Sequence, residues 1–429
     1  MTEPQRSRGL PLAEVNAEIE YQNSHCSTRC RVYFDLKESN PILFEPVDPL
    51  KRSWEPLEPN EIFHLTVANV PDPIECYYTH CSIRLTNEES TTLVILAPRR
   101  SLIEVDHPSP LLTVRAGVLN LGHYRFKGEM LSTFRLSEGG WHFEFAPVDD
   151  LTLQFSPLIQ TEEYFFTHHL RVHKSEAQFS CAEAHSELRD ICTFLSFCHG
   201  HWVSTALTYG IDKDGLAMME EWGTRTVSPW RRTSNWLDEH HGDCMVELFP
   251  GFMRILRSSP EWRTAIQHAV YWYVRSDTNL IGPDGACILL QAALERLAWQ
   301  VLVRDRRIIS QDGFKKLPAA DQLRLLLATV SIPLTLPGEM PQLVKAARKL
   351  NWIDGPQAFV EIRNWLVHPP KISRGTTELP FFDAFRLGKW YLELAILSVC
   401  QYRGVYSNRT RGSRWIGQVE TVPWVVSAR

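Results

Sequence analysis

Ala286-Cys-Ile-Leu-Leu-Gln-Ala-Ala-Leu-Glu-Arg-Leu-Ala-Trp-Gln-Val-Leu-Val303 is the stretch that decides the fold of the second half of this chain. Leu289, Leu290, Ala293, Leu294, Leu297, Ala298 and Val301 recur three and four residues apart, which draws one apolar stripe along a helix of about 18 residues. Gly282-Pro283-Asp284-Gly285 before it reads as a turn. Further helices are expected around it. One opens at Pro260 and runs to Val274, and another covers Leu317–Val330. A short one spans Pro341–Leu350, a fourth runs from Pro356 to about Val367, and the last runs from Phe381 to Tyr402.

Residues 1–180 have a different texture. Arg31–Leu36, Ile62–Val67, Thr91–Leu96, Leu111–Val114, Trp141–Phe145 and Leu151–Phe155 alternate or are β-branched, and Pro, Asn, Asp and Gly clusters such as Gly139-Gly140 separate them. Cys181–Cys198 returns to helical spacing through Leu188, Ile191, Cys192 and Leu195, and Val203–Ile211 and Gly223–Trp230 read as strands again. The expected fold class is α+β. A β-rich N-terminal domain covers 1–245, a helical bundle 255–405 and a basic tail 406–429. Pro250-Gly251 and Ser258-Ser259-Pro260 mark the boundary near 245–260.

Charge divides the chain at the same place. Residues 1–250 hold 21 Lys and Arg against 36 Asp and Glu, a net of −15; residues 251–429 hold 24 against 14, a net of +10. A basic half suits a polyanion met through phosphates, and the acidic half can equally attract the basic one. Hydrophobic content of 44% and charged content of 22% fit globular domains and argue against disorder or a fibre. No apolar h-region opens the chain, and no apolar run of membrane-spanning length is read, so a cytoplasmic protein without membrane contact is expected. Ten scattered cysteines suit free thiols. Walker loop, G-x-S-x-G and H-E-x-x-H patterns are missing, which disfavours nucleotidases, α/β-hydrolases and zinc proteases.

Glu361-Ile-Arg-Asn-Trp-Leu-Val-His-Pro-Pro370 carries the chemistry. Asn364 and His368 are four apart and share a helix face, while Arg363 lies about 140° from His368 and reaches it only by curling its long side chain. Pro369-Pro370 stops the helix and leaves His368 at its end. A helix C-terminus favours a histidine's cationic form, which suits a group that takes and gives a proton near neutral pH. An Arg beside such a His can cleave RNA without metal. The His moves the 2′-hydroxyl or leaving-group proton, the Arg steadies phosphate charge, and the Asn orients either. One His cannot be acid and base at once, but two copies across a dimer can. About one R-x4-H is expected by chance, and two occur, the other being Arg263 and His268. That second pair reads as a surface pair on an amphipathic helix.

R-N-x3-H on the penultimate helix of a C-terminal bundle resembles the HEPN superfamily. The R-N-W-L-V-H form, with L-L-Q-A-A-L-E-R-L upstream, is similar to its ApeA-like branch over roughly residues 260–405. The resemblance implies a dimeric, metal-independent endoribonuclease acting on tRNA or single-stranded loops, often in anti-phage defence or as a toxin. In it Arg363 and His368 are the catalytic pair, Asn364 is their polar companion, and no cofactor is needed. The β-rich domain would sense a phage or host trigger or restrain the nuclease. Glu295, alone in an apolar stripe, is a candidate to orient Arg363. The contrasting expectation is a non-catalytic HEPN-like dimeric adaptor, in which Arg363 and His368 serve structure alone.

Other constellations are weaker. Cys26, Cys30, Cys76 and Cys81, with His25 and His80 beside them, have spacings that a zinc site tolerates but no knuckle glycine, so ordinary thiols are expected. His168, His169 and His173, and His240, His241 and Cys244, lack a recognised ligand frame. No metal is therefore expected. Trp262, Tyr271, Trp272 and Tyr273 suit packing or a dimer interface better than base stacking, and Asn408–Trp415 reads as a phosphate grip or a solvated end.

Overall fold

The computed structural model describes residues 10–21, 24–35, 41–47, 50–51, 61–68, 70, 72–85, 90–130, 133–148, 164–231, 234–276, 281–368, 379–411 and 415–425. The chain forms two compact units. The first takes residues 1–120, 150–185 and 204–230, and the second takes 121–149, 186–203 and 231–429. The units interleave along the sequence instead of following a single cut near 245–260. Strand pairing decides this, because residues 204–224 return to lie beside a strand formed ninety residues earlier. The expected strand at Leu151–Phe155 lies outside the described residues.

The first unit opens with β1 (Leu10–Tyr21), β2 (Ser24–Phe34), β3 (Ile42–Pro46), β4 (Leu50–Lys51), β5 (Phe63–Val67), β6 (Ile74–Leu85) and β7 (Ser90–Pro98). Neighbours are antiparallel in the order β3-β2-β1-β5-β6-β7-β4, and β3 pairs again with β7 through Phe44 and Leu96. That last pairing closes six strands into a barrel, which leaves few open edges. Alternation places Phe63, Leu65 and Val67 inside and His64 and Thr66 outside. Ile19, Val32, Phe44 and Leu96 join them in the core.

Next come β8 (Leu102–Asp106) and β9 (Thr113–Leu119). The second unit then takes the chain through β10 (Arg125–Phe126), β11 (Glu129–Met130), β12 (Phe134–Glu138) and β13 (Trp141–Pro147). The β12–β13 hairpin turns at Gly139-Gly140, both at positive φ (61° and 81°), as that pair predicts. The first unit regains β14 (Phe166–Lys174). Helix α1 (Cys181–His199) gives its first residues to the first unit and the rest to the second. After it, β15 (Ser204–Ile211) and β16 (Ala217–Thr224) complete the antiparallel order β14-β9-β15-β16-β8. The expected strand at Gly223–Trp230 is displaced to Ala217–Thr224. The Asp212 carboxylate accepts from the amides of Asp214 and Leu216 and tightens the hairpin, so β16 starts directly after it.

The second unit is helical beyond residue 242. It contains α2 (Asp243–Ser258), α3 (Pro260–Arg275), α4 (Gly282–Trp299) with a π-helical extension Gln300–Asp305, and α5 (Gln311–Lys316). The remainder are α6 (Ala319–Thr329), α7 (Pro341–Leu350), α8 (Gly355–Val367) and α9 (Phe381–Val399). Two readings change. Gly282-Pro283-Asp284-Gly285 is the first turn of α4, because a proline at the first helical positions gives up only an amide that had no partner. Pro250-Gly251 lies inside α2 and ends nothing. A Cβ on Gly251 would meet the Cys400 carbonyl oxygen at 2.0 Å, so the glycine permits a close backbone crossing there.

Helix α4 is the hub and packs on α3, α6, α8 and α9. With its extension, Gly282–Asp305 is the one helix among the described residues long and apolar enough to cross a membrane by length and composition, although no such run was read from the sequence. Its most apolar window is 61% buried within the protein, as expected of a core helix. An α+β protein results, with a β-rich N-terminal part and a helical C-terminal part.

Candidate functional site

Helix α8 places Arg363, Asn364 and His368. It starts where the Asp354 carboxylate caps the Gln357 amide at 2.9 Å, with Pro356 in the first turn. Arg324 holds the same carboxylate, its Nε 2.6 Å from Oδ2. Phe359 and Ile362 are fully buried and turn that face into the bundle. Arg363 and Asn364 therefore sit half-buried at the rim, and His368 is exposed. The helix ends at Val367, and His368 leaves the helical conformation with φ −125° and ψ 77°. Pro369 and Pro370 lie outside the described residues.

The Asn364 side-chain oxygen accepts from Arg363 Nη1 at 3.4 Å, and its backbone carbonyl accepts from the His368 backbone amide at 2.7 Å, the ordinary bond of the last helical turn. Arg363 Nε is buried without a hydrogen-bond partner, and no carboxylate pairs with Arg363 among the described residues. Glu295 does not supply one. It accepts from Gln291 Nε2 at 2.7 Å, along its own helix.

The second R-x4-H match is built differently. Arg263 Nη1 hydrogen-bonds the fully buried carboxylate of Asp190, and His268 lies beside Trp272 with ring centres 5.4 Å apart. That guanidinium neutralises a buried anion, a structural task. The C-terminal arginines are similarly committed. Arg409 is buried against Glu393, Arg411 pairs with Glu420, and Arg386 donates to the carbonyls of Arg409, Thr410 and Arg411. The described part of Asn408–Trp415 is thus anchored to the bundle and not a loose end.

Of the aromatic cluster, Trp262 and Tyr273 are buried in the core, while Tyr271 stays half-exposed with Arg275 over its ring at 5.6 Å. Cys30 and Cys76 are buried among apolar side chains of the barrel. Burial pushes the Cys30 thiol up to about 12 and the Cys76 thiol higher still, which opposes the thiolate a zinc site needs. All ten cysteines are free thiols. His168, His169 and His173 fall on strand β14, not on a helix, and His168 is buried. His241 Nδ1 lies 3.1 Å from Asp238, and nearby Cys244 is buried.

A second cluster, in the first unit, escaped the sequence reading. Glu104 and Asp106 on β8, Glu221 and Arg225 at β16, and His185 in the first turns of α1 meet there. His185 Nδ1 is 2.8 Å from Glu221 Oε1, and Nε2 is 3.0 Å from Asp106 Oδ1. Arg225 Nη1 donates to Glu221 Oε2 at 2.9 Å. Burial opposes ionisation of Glu221, yet hydrogen bonds from His185 and Arg225 hold its carboxyl down at about 2. The residues are separated by up to 121 positions along the chain, so no spacing announces them.

Residues 122–233 match the YopA central domain, and residues 259–421 match the YopA C-terminal domain. Arg363, Asn364 and His368 lie inside the second match, and His185 and Glu221 inside the first. A relative is the SPbeta prophage-derived uncharacterized protein YopA of Bacillus subtilis (strain 168), 28% identical over 247 residues. The alignment covers 57% of this chain and 55% of that protein, so the chain spans about half the length of the curated relative it matches. No solved structure matches the chain.

Proposed function

We propose that this protein is a metal-independent endoribonuclease of the HEPN type, with Arg363, Asn364 and His368 as its working residues. One observation carries the reading: a half-buried arginine, without a carboxylate partner among the described residues, lies five residues before an exposed histidine at the end of the same helix. A guanidinium at a protein rim is suited to a phosphate, which it can grip with two parallel hydrogen bonds.

In this scheme His368 takes the proton of a ribose 2′-hydroxyl, and the 2′-oxygen attacks the adjacent phosphorus. Arg363 stabilises the charge that builds on the phosphate oxygens. The 5′-oxygen leaves with a proton from His368 of a second copy, giving a 2′,3′-cyclic phosphate and a 5′-hydroxyl. A homodimer supplies acid and base together. The substrate is tRNA or a single-stranded RNA loop, and the N-terminal part senses a phage or host trigger or restrains the nuclease. The relative's prophage origin is in keeping with a role in conflict between phage and host.

The test is cleavage of total tRNA and a single-stranded RNA in EDTA, comparing the wild-type protein with His368→Ala and Arg363→Ala. Activity that persists in EDTA, leaves cyclic phosphate ends and falls at least about 10²-fold in either variant is expected. Cleavage that survives both substitutions refutes the assignment. RNA binding without cleavage by the wild type favours the dimeric adaptor.

A further inference from the structure

We propose that Glu104, His185 and Glu221 form a binding site for a divalent transition-metal ion of the zinc class, supported by Asp106. The site lies in the first unit and is independent of the ribonuclease reading.

Strand register makes the site. Glu104 on β8 stands directly opposite Glu221 on β16, and Asp106 opposite Met219. Like charges directly opposite on neighbouring strands repel, and Arg225, paired with Glu221 and 3.9 Å from Glu104 Oε1, offsets only part of that repulsion among three carboxylates. Helix α1 delivers His185 over these strands. Its side chain is 7% exposed and that of Glu221 1%, while Glu104 remains half-exposed and opens the group to solvent. One ligand atom from each of the three residues lies within 4.8 Å of the other two. His185 Nδ1 is 2.8 Å from Glu221 Oε1 and 3.6 Å from Glu104 Oε1. Ligands at about 2.0–2.2 Å from a tetrahedral zinc ion lie roughly 3.4 Å apart, so small side-chain shifts suffice.

The outer contacts fit as well. His185 Nε2 is held by Asp106 Oδ1 and Oδ2 at 3.0 and 3.1 Å. A metal-bound imidazole characteristically gives its second N–H to such a carboxylate, which fixes the ring and its tautomer. Arg225 Nη1 holds Glu221 Oε2 at 2.9 Å, and Nη2 reaches Oε1 of the same carboxylate. Each carboxylate oxygen has two acceptor directions, so Oε1 can face an ion while Arg225 stays. Three carboxylates outnumber the one guanidinium and the one imidazole, so the group stays net negative, which suits a cation. Three protein ligands leave a fourth position for water, on the side Glu104 opens.

The experiment is calorimetric titration of ZnCl2 into the chelator-stripped full-length protein, with Co2+ absorption as a second readout. The wild type should bind one equivalent, and Co2+ should develop visible d–d bands. Glu104→Gln changes a half-exposed side chain and should weaken binding at least about 10-fold, and Asp106→Asn by about 10–100-fold. His185→Gln should abolish it; if that variant does not fold, Glu104→Gln and Asp106→Asn still decide. No uptake by the wild type, or equal uptake by Glu104→Gln and Asp106→Asn, overturns the proposal. Neither readout involves RNA cleavage, so this site and the ribonuclease reading fail separately.

Discussion

Replacing Arg409 with methionine strands a buried charge in the second unit. Glu393 is fully buried on α9 and accepts from the Tyr273 hydroxyl at 2.7 Å and from Arg409 Nη2 and Nε at 2.6 and 3.2 Å. At an effective dielectric near 20, two unit charges about 3 Å apart attract by roughly 5 kcal/mol. In the intact pair, the cost of removing both ions from water offsets most of that gain. Removing Arg409 alone keeps the cost for Glu393 and discards the attraction, and it also takes away a donor to the Ser234 carbonyl. The expected loss is about 3–5 kcal/mol. The assay is urea unfolding followed by far-UV circular dichroism for Arg409→Met, Glu393→Gln and the double variant. The double variant should recover at least about 2 kcal/mol relative to the sum of the single losses. An Arg409→Met loss under about 1 kcal/mol, or strictly additive losses, would show that the ion pair does not stabilise the bundle.

Two further outcomes follow from the packing. Asp354→Ala should cost about 1–3 kcal/mol, because it removes both the N-cap of α8 and the partner of Arg324, while Asp354→Asn should keep the cap and lose less; thermal unfolding of the two side by side decides it. Acid should destabilise the first unit through His168, whose ring burial, reinforced by His169, pushes down to about 3. Below pH 6.5 the unfolded chain takes up a proton that the folded state refuses, so stability falls with pH by up to about 1.4 kcal/mol per unit until about pH 3. His168→Gln should flatten that slope between pH 6.5 and 5 in urea titrations, and an unchanged slope would assign the acid response to other groups.

The periodic segments were legible in advance. The stripe from Leu289 to Val301, the prolines opening α3, α7 and α8, and the Gly139-Gly140 turn each depend on neighbours within a few residues, and each appears in the structure. The placement of Arg363, Asn364 and His368 at one helix end was legible for the same reason. Pro250-Gly251 misled because a glycine needed for a close crossing against Cys400 looks, locally, like a breaker. Glu295 misled because a charged residue in an apolar stripe does not say which partner it will meet, and Gln291 on its own helix met it.

What the sequence by itself determined is therefore local: helical and strand periods, caps, turns and the R-N-x3-H string, all governed by contacts within one or two turns of chain. Tertiary structure decided the rest. It closed six strands into a barrel through one pairing between residues 52 positions apart and interleaved the two units. It tied Arg263, Arg409 and Arg411 to carboxylates while leaving Arg363 without one among the described residues. It also gathered Glu104, His185 and Glu221 from three separate elements. The physical reason is common to all of these. Which charges neutralise one another, and which strands become neighbours, is fixed by distance in space, and a linear spacing carries that distance only while the chain stays within one regular element.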